Sequence, residues 1–453
     1  MSLRQATEVG SAERPLRVAI VGSGPAGFYV ASALRKQQDA AVDIDIFERL
    51  PTPYGLVRGG VAPDHQSIKA VTKVFERGAD GFRFFGNVEV GRDVAVEELA
   101  AHYDQLVFAV GNEGDRRLGI PGEGLPRCTP AAVFVGWYNG HPDYHNASFD
   151  LSARRVAVVG NGNVAIDVAR ILARDPDNLS RTDIAEHALE ALRLSMVEEV
   201  VLLGRRGPVQ AAFTPAELKE LGELEGAVPQ IAPEELQLDE ASEAALAVAP
   251  KQVRRNLEIL QRFAERRARR PVENNKRVIR FRFCVSPVEL RPAADGGVGA
   301  LLLAKNHLEA NEAGDRIQAR DSGEREELPV DLVLPAIGFA GRPLAGLPFD
   351  DERKVLRNLD GRLCDEEGTL LPNRYVVGWA RSGPRGLIGS HKRASAEVAE
   401  AMLADLAAGS VEPRTLPAPE RLPERLAGQL RLVRFADWRR LDAVERERGA
   451  RRG

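Results

Sequence analysis

Cysteine is nearly absent from this sequence. Its 453 residues hold three, Cys128, Cys284 and Cys364, and no two are close enough in the chain for a CxxC pair. A redox dithiol and a four-cysteine iron–sulfur site built by this chain alone are therefore excluded. A disulfide scaffold is not expected either, and a reducing compartment such as the cytoplasm fits. No apolar run reaches the roughly 18 residues that a membrane-spanning helix needs. The first 16 residues lack the apolar centre of a signal peptide and read as a frayed tail. An excess of one charge is missing too. The 62 basic side chains against 66 acidic ones leave −4, which argues against general nucleic-acid binding while allowing a local basic patch.

Glycine, by contrast, is plentiful, with 42 residues, and it is placed at telling points. RVAIV (17–21), then GSGPAG, then FYVASALRKQ read as strand, glycine turn and helix. VDIDIFE (42–48) reads as a second strand ending in Glu48. Residues 66–78 read as helix, 82–91 as a hairpin, and 103–122 as an apolar strand running into a glycine-rich crossing. The pattern then restarts. RRVAVVGNGNVAIDVARILA (154–173) is again strand, turn and helix, and VEEVVLLGRRG (197–207) is its partner strand. Residues 215–270 read as mostly helical. VDLVLPAIGF (330–339) mirrors the earlier crossing, 374–406 reads as strand, glycine turn and long helix, 410–425 as irregular, and 434–447 as a last helix. The fold class this implies is α/β, with two doubly wound, Rossmann-like dinucleotide-binding domains, the second inserted in the first. The expected boundaries are 1–112 and 331–453 for the outer domain and 113–330 for the inserted one.

The first turn is a dinucleotide fingerprint. Gly22 permits the tight turn, Gly24 lets a pyrophosphate approach the backbone, and Gly27 lets helix and strand pack closely. The helix start offers N–H groups to phosphate. Glu48 is placed to accept hydrogen bonds from a ribose diol. The second turn, Gly160-Asn161-Gly162-Asn163-Val164-Ala165, ends its partner strand in Arg205-Arg206 instead of an acid. Guanidinium forks bind a 2′-phosphate that a carboxylate would repel, so this site reads as NADP-type unless the two arginines form surface ion pairs. Two dinucleotide sites in one chain suggest an electron relay, with FAD in the first and NADP(H) in the second. Trp379, followed by Gly383, Gly386 and Gly389, either covers the flavin ring or is a core tryptophan beside a tight turn.

Several strings together resemble the adrenodoxin-type ferredoxin–NADP⁺ reductases and their bacterial relatives: GSGPAGFYVA, PTPYGLVRGGVAPDH, FFGNVEVGRDV, FVGWYNG, GNGNVAIDVARIL, GRRGPVQAAFTPAELKEL, GW…GPRGLIG and the C-terminal FADWRRLDAVE. The resemblance runs from about Arg17 to Leu441. It implies an NADP domain interrupting an FAD domain, hydride transfer from NADPH to flavin, and single-electron delivery to a ferredoxin-type iron–sulfur protein. It implies FAD contacts at Ala26, Glu48, Leu56, Val90 and Trp379, with Gly386, Leu387 and Ile388 at the flavin. It implies NADP contacts at Arg116, Asn161, Gly162, Asn163, Val164, Arg205, Arg206 and Glu217, and it sets His65 and Glu217 near the reacting rings. His65 then serves a proton path or only orders the flavin loop. Glu217 positions the nicotinamide or is a solvated helix acid. Arg385 stands where the family has threonine in GPTG.

A basic stretch over 251–282 carries twelve Lys and Arg against three Glu. It suits an acidic ferredoxin, with Arg254, Arg255 and Arg262 as first choices, or is a solvated helix face. Competing readings are an NADPH-dependent reductase of quinones or small oxidants and a non-enzymatic flavin-binding redox sensor. No metal site is expected.

Overall fold

The computed structural model describes residues 8–269, 276–311, 317–386 and 388–451. Its contacts divide the chain into two compact units: Met1–Val61, His65–Asp115 and Gly338–Gly453 form the first, and Ala62–Asp64 with Arg116–Ile337 the second. The second is thus an insertion in the first.

The first unit opens with β1 (Leu16–Val21), α1 (Pro25–Lys36) and β2 (Val42–Glu48). β1 is buried at every position, as expected of a parallel strand covered on both faces. β3 (Arg83–Gly86) and β4 (Gln105–Phe108) follow. The hairpin expected over 82–91 is not formed. β3 instead runs parallel to β2, with Arg83 opposite Asp45. The Arg83 guanidinium forks onto the Asp45 carboxylate at 2.7 and 2.6 Å, fixing that register. Asn87, at φ 62, then turns the chain away from the strand.

The second unit repeats the theme with β5 (Arg155–Val159), α2 (Asn163–Ala173), β6 (Glu199–Leu203), α3 (Pro215–Leu221), β7 (Ala227–Ile231), α4 (Lys251–Arg269) and β8 (Arg277–Arg282). The expected helical stretch over 215–270 is thus interrupted by β7, which pairs with β8. An antiparallel sheet of β9 (Val285–Pro292), β10 (Val298–Ala310) and β11 (Ile317–Pro329) precedes β12 (Leu332–Pro335). The main sheet has the order β12-β5-β6-β8-β7 and is parallel throughout. Its core joins Val156, Val158, Ile166, Val168, Leu202 and Leu334, each fully buried side chain stabilising the fold by about 1.5–3 kcal/mol.

The chain then returns to the first unit with β13 (Asn358–Leu359), β14 (Arg362–Cys364), β15 (Leu370–Val376), α5 (His391–Ala407) and α6 (Phe435–Ala450). The first sheet reads β13-β14-β15-β4-β1-β2-β3. Val398, Ala399 and Met402 of α5 share one core with Val30, Ala31 and Leu34 of α1. A short helix, Arg421–Ala427, lies in the stretch expected to be irregular. Among the described residues no helix is long and apolar enough to cross a membrane.

Candidate functional site

Each unit carries its glycine turn at the carboxyl end of its first parallel strand, where open α/β sheets bind ligands. In the first unit Gly22 has φ 104 and donates its N–H to Phe47 at 2.8 Å. A Cβ there would lie 2.4 Å from the Ala109 carbonyl oxygen, and one on Gly27 would lie 2.3 Å from the Gly22 oxygen. These two glycines are required by the fold itself. Gly24 differs, because a Cβ on it would have nothing within 4 Å. It is the N-cap of α1, offers no side-chain cap, and is followed by Pro25. The helix therefore starts beside open space with backbone N–H groups left for an anion.

Glu48 closes the cradle from β2. One carboxylate oxygen accepts from the Ser23 N–H at 2.9 Å and the Ser23 hydroxyl at 2.6 Å, and the other accepts from the Leu50 N–H at 3.0 Å. Burial pushes this carboxyl above the ordinary glutamate value, with the Leu50 and Ser23 hydrogen bonds pulling the other way. Ser23 was not singled out by sequence. The signal was available, since it is the one hydroxyl inside the glycine turn.

The other expected residues of this unit gather nearby in part. Gly55, at φ 50, packs so that a Cβ would sit 3.1 Å from Gly24 Cα, and Leu56 begins the single turn Leu56–Gly59 directly after it. Ala26 is buried at the start of α1, and a Cβ on Gly378 would lie 2.7 Å from its Cβ. Trp379 follows Gly378, stacks at a tilt on Phe339 with ring centres 5.6 Å apart, and leaves its indole N–H buried without a partner. Val90 is buried and bridges to Val94. Gly386 has φ 85, and Ile388 packs on the α1–α5 core. Leu387 lies outside the described residues.

The second cradle repeats the first. Gly160 donates its N–H to Leu203 at 2.8 Å, its Cβ would lie 2.3 Å from the Ala336 carbonyl oxygen, and Gly162 has nothing within 4 Å. Gly162 is the N-cap of α2 and brings no side-chain cap, while Val164 lies in the first turn. The Asn161 carbonyl accepts from the Ala212 N–H at 2.8 Å, and the Asn163 side-chain oxygen accepts from the Thr214 N–H at 2.8 Å. These two asparagines hold the loop that leads into α3. Arg205 is exposed and Arg206 half-buried. Burial and the neighbouring Arg205 lower the Arg206 pKa. Among the described residues neither arginine has a carboxylate at ion-pair distance, so they are not the surface ion pairs that sequence left open. Arg116 is exposed at the start of this unit.

Glu217 is not a solvated helix acid. It sits in the first turn of α3, is buried, and accepts from Arg170 Nη1 at 3.2 Å. Arg170 is fully buried on α2 and also forks onto Asp64 at 2.7 and 3.0 Å and meets Asp167 at 2.8 Å. Burial opposes its charge, but these carboxylates hold it protonated, above the ordinary arginine value. Sequence reasoning missed Arg170. Its signal was a charged pair three residues apart on an otherwise apolar helix, NVAIDVARILA. His65 caps the single turn Gln66–Lys69 in the other unit, its carbonyl accepting from Ile68 and Lys69 at 3.0 and 3.1 Å.

The basic stretch divides. Arg277, Arg280 and Arg282 are not part of a helix face but lie on β8. Arg280 pairs with Glu199 at 2.5 Å, and Arg282 pairs with Glu235 at 2.6 Å and Glu326 at 2.8 Å. Arg277 donates to the carbonyls of Val197 and Arg174. On α4, Arg254 and Arg262 are exposed, and Arg255 pairs with Glu258 at 2.6 Å. All three cysteines are free, and burial pushes the Cys128 and Cys284 thiols up to about 11.

Comparison with known proteins agrees with this geometry. The pyridine nucleotide-disulphide oxidoreductase family matches residues 16–198. The chain is 46% identical to NADPH-ferredoxin reductase FprA of Mycobacterium leprae, over 96% of its own length and 94% of the relative's. It is 41% identical to human mitochondrial NADPH:adrenodoxin oxidoreductase, over 96% and 88% respectively. Among solved structures it is similar to Mycobacterium tuberculosis FprA in complex with NADPH, with a TM-score of 0.91 and 45% identity over 97% of this chain and 96% of that one. With two glycine cradles and relatives this close over nearly its whole length, the chain belongs to the family of adrenodoxin-type NADPH–ferredoxin reductases.

Proposed function

We propose that this chain is an NADPH–ferredoxin reductase, a flavoprotein oxidoreductase that takes a hydride from NADPH and passes single electrons to an iron–sulfur protein. The observation that carries this reading is the contrast between two matching cradles, one closed by an acid and the other by two unpaired arginines.

The residues of the first cradle fit FAD. Open space at Gly24, the uncapped start of α1, the anchored Glu48 and the partnerless Trp379 indole N–H match a pyrophosphate, a ribose diol and an aromatic ring system. When bound, FAD supplies a centre that accepts a hydride and gives up electrons one at a time. The α1 N–H groups hold its phosphates, and Glu48 accepts from the ribose. Trp379, with Gly386 and Ile388, lines its ring end, beside Leu56 and Val90.

In the second cradle Gly162, with the start of α2 at Asn163 and Val164, takes the pyrophosphate of NADPH. Arg205 and Arg206 fork onto its 2′-phosphate, and Arg116 adds positive charge. Asn161 and Asn163 set the loop that brings Glu217 into place. Glu217, held by Arg170, orients the nicotinamide, and His65 serves a proton path on the flavin side. The acidic iron–sulfur partner docks on α4 through Arg254, Arg255 and Arg262, and the three free thiols support a reducing compartment such as the cytoplasm.

Ferredoxin-dependent cytochrome reduction, followed at rising ionic strength, tests the docking. Replacing the three α4 arginines by glutamine is expected to raise the KM for ferredoxin by about tenfold and to flatten its salt dependence. NADPH–ferricyanide activity should not move. An unchanged KM removes α4 from the docking surface.

A further inference from the structure

Beside the first cradle, the C-terminal helix α6 meets a residue held in an unusual backbone conformation. Tyr54 has φ 85. For a bulky side chain this is a strained conformation that persists only where the surroundings over-determine it. Here three rings do so. Tyr54 lies 5.5 Å from Phe28 and 6.3 Å from Phe75, and its ring meets Trp438 of α6 nearly edge-on, at 5.9 Å and 80°.

What Tyr54 holds is the cradle itself. Its N–H donates to the Ser23 carbonyl at 3.0 Å. The next residue, Gly55, presses on Gly24 so closely that a Cβ would come within 3.1 Å of Gly24 Cα. Ser23 in turn anchors Glu48 with two hydrogen bonds. Trp438 is itself fixed. It is 2% exposed, the Arg58 guanidinium lies 4.9 Å over its ring, and Arg58 pairs with Glu445, two turns further on along the same helix face, at 2.6 Å.

We propose that Trp438 is a positioning residue for FAD: it braces Tyr54 and, through it, the Ser23–Gly24 floor and the Glu48 acid of the first cradle. This rests on the reading that the first cradle holds FAD. The brace is separable from the anchoring of the helix. Phe435 packs edge-on against Phe82 and Phe84 at about 6 Å, Val433 pairs with Gly86, and neither contact involves the indole. Losing the indole therefore loosens Tyr54 while α6 stays docked.

The test compares wild type with Trp438→Ala, Trp438→Phe and Val444→Ala, the last exposed on the same helix. FAD release is followed by the fluorescence of the freed cofactor, and melting is recorded with and without excess FAD. Trp438→Ala is expected to release FAD about tenfold faster and to shrink the melting shift that FAD confers. Trp438→Phe, which keeps an aromatic ring, should restore most of both, and Val444→Ala should change neither. A Trp438→Ala protein that melts lower to the same extent with and without FAD, and releases FAD as wild type does, overturns the brace. A wild-type protein that takes up no FAD overturns the reading of the cradle and the brace with it.

Discussion

The two glycine cradles are near copies, yet they end differently. In each, a Cβ on the first glycine would run into a carbonyl oxygen of the crossing segment, at 2.4 Å for Gly22 and 2.3 Å for Gly160, while a Cβ on the second glycine would have nothing within 4 Å. The pyrophosphate seat is thus the same solution used twice. The end of the partner strand differs most, with Glu48 held by Ser23 and Leu50 in one unit and, among the described residues, the unpaired Arg205 and Arg206 in the other. Seat and selectivity are therefore separate features, and they should fail separately.

The largest effect is expected from the glycine under the carbonyl. Gly22→Ala adds a Cβ at an impossible distance and at a positive φ, so it should cost about 2–5 kcal/mol of stability even without cofactor. Gly24→Ala should leave the melting of the cofactor-free protein within about 0.5 kcal/mol of wild type while weakening FAD. Equal destabilisation by both would erase the distinction. Next comes Arg205→Ala with Arg206→Ala, which removes two charge-assisted contacts and should weaken NADPH by about 100-fold. Titrations with NADH should hardly change, and parallel losses for both nucleotides would refute the 2′-phosphate assignment.

The smallest effect belongs to Glu48. Burial raises its pKa in the cofactor-free fold, so the folded state holds the proton more tightly than the unfolded chain. Its contribution is most favourable at or below the ordinary glutamate pKa and is lost as pH rises through the raised value. Glu48→Gln should therefore make the cofactor-free protein relatively more stable at about pH 8 than at about pH 5, while weakening FAD by about fivefold. A stability difference that ignores pH would contradict this.

Much of this architecture was legible in the sequence because glycine spacing and continuous apolar strands report directly on parallel βαβ units. The resemblance of GNGNVAIDVARIL and GPRGLIG to known strings extended this to the expected cofactors. What stayed hidden depends on partners distant in the chain. β3 read as half a hairpin because only its pairing with Asp45 makes it parallel. β7, AVPQI, has no alternation and lies between helices. Arg280 and Arg282 read as part of a basic face because Glu199, Glu235 and Glu326 are nowhere near them in sequence. Arg170 and Ser23, which hold Glu217 and Glu48, were passed over because a positioning residue shows its role only through the group it holds.

The central claim is that one chain seats a flavin in its first cradle and NADPH in its second. Anaerobic titration of the purified protein with NADPH, watched through the flavin's visible absorbance, tests it most directly. The account predicts a yellow protein whose absorbance bleaches with about one equivalent of NADPH and far less readily with NADH. A colourless protein that takes up no FAD, or a yellow one that NADPH leaves oxidised, would contradict it.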